Sequence, residues 1–178
     1  TCVYGFWIYR YEVTSREYDE FKGTDAVPPG QEEVPKTLIR WEDAYDYCNE
    51  RHADYPSRLP TEIQWEYAAR GPESHSFPWG NTFDGTRLNY CDAGCASGVI
   101  DPRVDDGYPD TAPVGSFPAG VSWCGAQDMA GNVREWVSDW FGRYSIQAQV
   151  NPIGPLTGES RIPKGGCWLD RPDDVRSA

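Results

Sequence analysis

Six cysteines, two histidines and 28 acidic side chains are the groups in this 178-residue chain with the most chemistry to offer. Cys2, Cys48, Cys91, Cys95, Cys124 and Cys167 contain no Cys-x-x-Cys pair, and two histidines are too few to complete zinc sites around them. An even number of cysteines admits a disulfide framework whose connectivity spacing does not choose. Cys91 and Cys95 could close a small loop, or one of them could pair with Cys124. At least one disulfide is expected, and with it an extracytoplasmic location. A non-heme iron triad needs two histidines and a carboxylate held together. His52 follows a helical segment and His75 falls in a loop, so both are expected at the surface. There is no Gly-x-Ser-x-Gly elbow, phosphate loop or dinucleotide fingerprint. Acidic residues flank glycine in Asp105-Asp106-Gly107 and in the run from Asp128 through Gly131 to Glu135. Calcium takes roughly six to eight oxygens from carboxylates, amides and carbonyls, and irregular loops supply such sets. The first run also reads as an ordinary turn, and Glu135 could instead pair with Arg134 or Arg70.

The elements that must position these groups are few. Thr14 to Glu17 and Thr61 to Gln64 are capping boxes, which predict helices ending at Gly23 and Gly71. Between them, Trp41, Ala44, Tyr45 and Cys48 form an apolar stripe at helical period, with Glu42 and Asp43 in the first turn. Residues 5–13, dense in aromatic and β-branched side chains, predict a strand, as do 133–140 and 164–169. From Pro72 to about Asn132 periodicity vanishes and turn signals crowd in. A stretch this long without regular structure needs disulfides or metal ions to fix it. The result is an α+β domain with two or three helices and long loops, occupying residues 1–178. The net charge of −12 argues against nucleic acid and anionic membrane surfaces. No run approaches the ~18 apolar residues of a membrane span, and Thr1-Cys2-Val3-Tyr4 is not a signal peptide.

Several motifs occur in a telling order: Tyr11-Glu12-Val13-Thr14, Arg58-Leu59-Pro60-Thr61-Glu62 with Trp65-Glu66-Tyr67-Ala68, Phe77-Pro78-Trp79-Gly80, Thr111-Ala112-Pro113-Val114, Gly131-Asn132-Val133-Arg134-Glu135-Trp136 and Gly165-Gly166. Together they resemble the formylglycine-generating enzyme, or sulfatase-modifying factor, family over nearly the whole chain. The resemblance implies a variant of the C-type-lectin-like fold with little regular structure. It also implies that the chain is incomplete at both ends, since the family's opening strand and closing segment are missing. Cys48 matches a family position whose disulfide partner would lie beyond Ala178.

The family's founding activity oxidises a sulfatase cysteine with O₂ and a Cu(I) ion held by two cysteines after a Gly-Gly-Ser motif. Here Cys167 occupies the Ser position, Asp170 stands where the first copper cysteine would be, and no cysteine follows. A carboxylate is a poor substitute for a soft thiolate on Cu(I), so copper and the founding reaction are not expected. The resemblance implies two structural calcium sites instead. The first would use the side chains of Asn89 and Asp106 with the carbonyls of Tyr90 and Tyr108. The second would use Asp128 and Glu135 with the carbonyls of Gly131 and Val133. The expected function is a non-catalytic, calcium-stabilised binding or structural module of a secreted or cell-surface protein, with a protein or small extracellular ligand as partner. The alternative is an oxidoreductase of the formylglycine-generating type with an altered site. Trp140, Tyr144 and Trp168 could present an aromatic ligand surface or pack in the core.

Overall fold

Helix α1 spans Ser15–Lys22, α2 Trp41–Glu50 and α3 Glu62–Arg70, and strands β1 (Glu135–Trp140) and β2 (Arg161–Lys164) follow late in the chain. They come from a computed structural model that describes residues 2–24, 27–51, 55–98 and 101–177. Both capping boxes form. The Thr14 hydroxyl accepts from Glu17 N–H while Glu17 accepts from Thr14 N–H, and Thr61 and Gln64 reciprocate in the same way. Gly23 and Gly71 end their helices at φ values of 68° and 69°, where a Cβ would be strained. In α2 the inward residue is Tyr47 rather than Tyr45, which is exposed. Tyr47 stacks on Tyr18 of α1, so packing between the two helices rotates the stripe predicted from periodicity.

Residues 5–13 form no strand. Trp7, Tyr9 and Tyr11 point outward, and the Arg10 carbonyl accepts a single bond from Gln127 N–H. β-Rich composition gives a strand only where another strand supplies the ladder, and among the described residues none lies alongside. The last predicted strand is also displaced. β2 ends at Lys164, because Gly165 and Gly166 adopt φ values of 92° and 77° that a pleated strand excludes. β1 and β2 pair antiparallel, with Glu135 opposite Lys164 and Trp140 opposite Arg161. Between Pro72 and Asn132 the regular structure among the described residues is a short 3₁₀ turn at Pro118–Gly120, as expected.

Two apolar clusters hold these pieces. Trp65, Ala68 and Ala69 of α3 pack with Ala126, Met129 and Val137 of β1. Phe77, Leu88, Tyr90, Ala130 and Val175 form the second cluster inside the irregular half. The neighbours Met129 and Ala130 join the two. Burying each of the larger side chains contributes roughly 1.5–3 kcal/mol. Asp139 accepts the Glu62 N–H at 2.9 Å at the start of α3, and the indole N–H groups of Trp41 and Trp136 donate to the Val137 and Ile39 carbonyls. The ribbon is thereby tied to both α2 and α3.

Candidate functional site

The irregular half converges on Asn132, which is 1% exposed and holds a φ of 56° just after Gly131. Its amide donates to Glu12 Oε2 at 2.6 Å and to the Ala112 carbonyl, and its Oδ1 accepts from Ala112 N–H and Asn89 Nδ2. Its backbone N–H donates to the Asn89 carbonyl, and its own carbonyl accepts from Trp168 N–H. One side chain therefore fixes the relative positions of both candidate cation sites.

At the first site, Asn89 is buried in the run that carries Tyr90, and it uses Nδ2 on the Asp110 carbonyl and on Asn132. Its Oδ1 is buried with no partner, and so is Oδ2 of Asp106. The other Asp106 oxygen accepts from Tyr108 N–H at 2.8 Å. Burial pushes the Asp106 carboxyl up to about 6; the Tyr108 N–H opposes this, and the nearby charge of Asp92 adds to it. Two orphaned buried oxygens are costly unless something cationic or a donor meets them. The donor types of this site thus fit a hard cation.

At the second site, Asp128 accepts the Gly115 N–H at 2.6 Å, and Glu135 opens β1 beside the Trp65 ring. Burial pushes Glu135 up to about 7, Trp65 opposing and Asp128 adding. Burial also raises Asp128. Gly131 and Val133 lie on the tight turn between these two acids. The structure adds a residue that sequence reasoning missed: Glu12, whose carboxylate also accepts the Val133 N–H at 3.2 Å. Its pKa is raised well above the ordinary range by burial and by the charges of Glu135 and Asp128. Burial raises all three acids, and the neighbouring charges add to the shifts of Glu12 and Glu135. Among the described residues no three His, Cys, Asp or Glu side chains close on one point tightly enough to hold a metal alone. A cation at either place would therefore need backbone carbonyls, as the predicted sets of Tyr90 with Tyr108 and Gly131 with Val133 provide.

Asp92 was also missed. It is fully buried inside the Cys91–Cys95 loop, where its carboxylate takes Gly94 N–H and Asp106 N–H. The sequence Asp-Ala-Gly between two cysteines is a legible turn signal, whereas nothing local points to Glu12. Cys91 and Cys95 form a disulfide, and Cys2, Cys48, Cys124 and Cys167 are free thiols. Burial pushes the Cys48 thiol up to about 11. His75 sits at the surface against Glu73, and His52 lies outside the described residues.

At the end of the chain, both oxygens of Asp170 engage Arg134 Nη2, at 2.8 and 2.9 Å, and Oδ2 also accepts the Cys167 N–H at 2.8 Å. Burial raises the Cys167 thiol, partly opposed by the Leu169 N–H. Val175 is fully buried in the second cluster. The three aromatic residues considered as a surface are divided: Trp140 packs on Arg161 at 3.5 Å, Trp168 is half-buried, and Tyr144 is exposed with its hydroxyl donating to Glu62.

Comparison with known proteins decides the family. The model of the sulfatase-modifying factor enzyme 1-like domain matches residues 1–178. The chain belongs to this family. The chain is 36% identical over 137 residues to the formylglycine-generating enzyme of Mus musculus, covering 76% of this chain and 35% of that protein. It is 33% identical over 142 residues to the inactive C-alpha-formylglycine-generating enzyme 2 of the same organism, covering 79% and 40%. Among solved structures, PvdO from Pseudomonas aeruginosa matches with a TM-score of 0.75 and 27% identity, over 94% of this chain and 70% of that one. The chain thus spans two fifths or less of these two curated relatives. The family label embraces proteins named as active and as inactive, so function has to be argued from the site.

Proposed function

We propose that this chain is a non-catalytic, calcium-stabilised binding or structural module on the formylglycine-generating scaffold, belonging to a secreted or cell-surface protein. The observation that carries this reading is the state of Asp170. At the place the resemblance gives to the first copper thiolate stands a carboxylate committed to a bidentate Arg134 pair and to the Cys167 N–H. A hard, already paired oxygen donor is a poor ligand for Cu(I). Calcium is supported by the orphaned oxygens of Asn89 and Asp106 and by the crowding of Glu12, Asp128 and Glu135. A bound ion there would supply the positive charge that these oxygens lack and would brace the loops on either side of Asn132. The Cys91–Cys95 disulfide supports an oxidising compartment, and the charge of −12 favours protein or small-molecule partners over nucleic acid or membrane surfaces.

The likeness to the mouse formylglycine-generating enzyme favours a second reading, an oxidoreductase acting on a cysteine in a substrate protein. Metal analysis combined with oxygen uptake on a cysteine-containing peptide separates the two. Bound calcium with no oxygen uptake after Cu(I) loading is expected. Stoichiometric copper lost in Cys167→Ala, together with turnover, overturns the non-catalytic reading.

A further inference from the structure

The geometry points to the groove between residues 79–87 and 101–104 as a binding site for a carboxylate carried on a flat, apolar body. This groove encloses about 550 Å³, within the size range of small-ligand sites. It is remote in role from the candidate cation sites, and its walls carry a different chemistry. Trp79, Phe83 and Val104 make the apolar part, packed on the second core cluster. Trp79 is held in place by stacking on Phe77 and by donating its indole N–H to the Thr82 carbonyl.

The polar part is two arginines, each pinned by its own aspartate. Asp101 is 4% exposed in its side chain while Arg103 is 76% exposed. The aspartate takes Arg103 Nε and Nη2, both at 2.7 Å, and also the Tyr90 hydroxyl at 3.0 Å. Asp84 takes Arg87 Nε at 2.8 Å and both the N–H and the hydroxyl of Thr86. Arg87 passes a second N–H to the Ala119 carbonyl. Asp101 therefore spends its acceptors inside the protein, while Asp84 accepts three such bonds and stays partly exposed. What remains for a ligand is donor capacity: among the described residues Nη1 of Arg103 and Nη2 of Arg87 take no acceptor. In the Asp101–Arg103 pair the anion is buried and the cation faces water, so the groove meets a ligand with its positive end. A guanidinium held in a fixed plane loses little freedom on forming a fork with a carboxylate. The Trp79 and Phe83 rings select for a flat apolar body attached to it.

The site extends the binding-module reading without depending on calcium. Its test is an amide and indole NMR titration of the whole chain with benzoate, N-acetyl-L-phenylalanine and N-acetyl-L-phenylalaninamide, repeated on Arg103→Gln and Arg87→Gln. Both acids are expected to shift the Trp79 indole N–H and the backbone of residues 81–87. The amide should bind about tenfold more weakly, and Arg103→Gln should remove the preference for acid over amide. Equal affinity for benzoate and N-acetyl-L-phenylalanine assigns the site to free aromatic acids. A clear preference for the latter assigns it to peptide C-termini. The proposal is overturned if acid and amide bind alike, if the shifts map away from Trp79, if Arg103→Gln binds the acids as the parent does, or if no shifts appear up to about 10 mM acid. Chemical shifts outside the groove report whether each variant keeps its fold.

Discussion

Removing calcium should reverse the pH dependence of stability. In the metal-free chain burial raises Glu135 from 4.5 to about 7 and Asp106 from 3.8 to about 6, and Glu12, Asp128 and Asp139 move in the same direction. A carboxyl that holds its proton more tightly when folded than unfolded makes the native state the better proton binder between its two pKa values. Stability therefore falls as pH rises through that window, which for Glu135 runs from 4.5 to about 7. The displacement corresponds to about 3 kcal/mol when the window has been crossed. Asp106 is only partly enclosed, and solvent screening leaves it a smaller share. Asp84 and Asp101 are lowered instead, so the stability they contribute is lost only as pH falls below about 3.8 and is constant across the window. For a chain of this size about 3 kcal/mol is a melting-temperature loss of roughly 6–12 °C. Calcium at about a hundred times its Kd adds about 2.7 kcal/mol per site, and it binds only the ionised acids, so its stabilisation grows with pH. Thermal unfolding in EDTA and in excess calcium, from about pH 5 to about pH 8, should give two curves that separate as pH rises. A flat or rising EDTA curve refutes the crowded-acid argument. A calcium shift of equal size at both ends refutes the assignment of these acids as ligands.

Three further outcomes follow from particular contacts. Gly131→Ala places a Cβ 2.1 Å from the Asn89 carbonyl at a φ of 79°, whereas Gly30→Ala has a similar φ of 86° and open space. Urea unfolding should show a loss of more than about 3 kcal/mol for the first and about 1 kcal/mol for the second. Reduction of Cys91–Cys95 releases a loop with a sequence separation of 4. It should cost about 2 kcal/mol by loop-closure entropy, read as a lower melting temperature in reductant that Cys91→Ala/Cys95→Ala reproduces without it. Arg161→Met removes a guanidinium lying 3.6 Å from the Trp41 ring centroid and 3.5 Å from that of Trp140. A loss of about 1–2 kcal/mol is expected in denaturant unfolding, together with a changed tryptophan emission.

Helix ends were legible because each is decided within a few residues. Thr14 needs only Glu17, and Thr61 needs only Gln64, to satisfy the free N–H groups of the first turn. The strand predicted at residues 5–13 failed because strand formation is not local: the segment is rich in strand formers, but among the described residues no strand runs beside it. The irregular half was legible as irregular from its turn signals, but its internal order was not. Asn132 meets Glu12 across 120 positions and Asn89 across 43, and no periodicity encodes such a meeting. The second candidate site shows the consequence. Asp128 and Glu135 lie on one tight turn and could be paired from the sequence, whereas Glu12 was absorbed into a supposed strand.

The carboxylates divide by what faces them rather than by how many there are. Asp84, Asp101 and Asp170 each meet an arginine, and these acids hold a cation in place or close a surface pair. Glu12 and Asp128 are buried, Asp106 and Glu135 partly so, none of the four pairs with a cationic side chain among the described residues, and each is raised. Buried uncompensated charge is among the costlier features of a protein interior. The charge balance of the interior is thus an argument for the proposed cations that does not depend on any relative. For the same reason the acidity of the chain is not a uniform surface property. Part of it is built inward, around one asparagine, where a divalent ion would neutralise it.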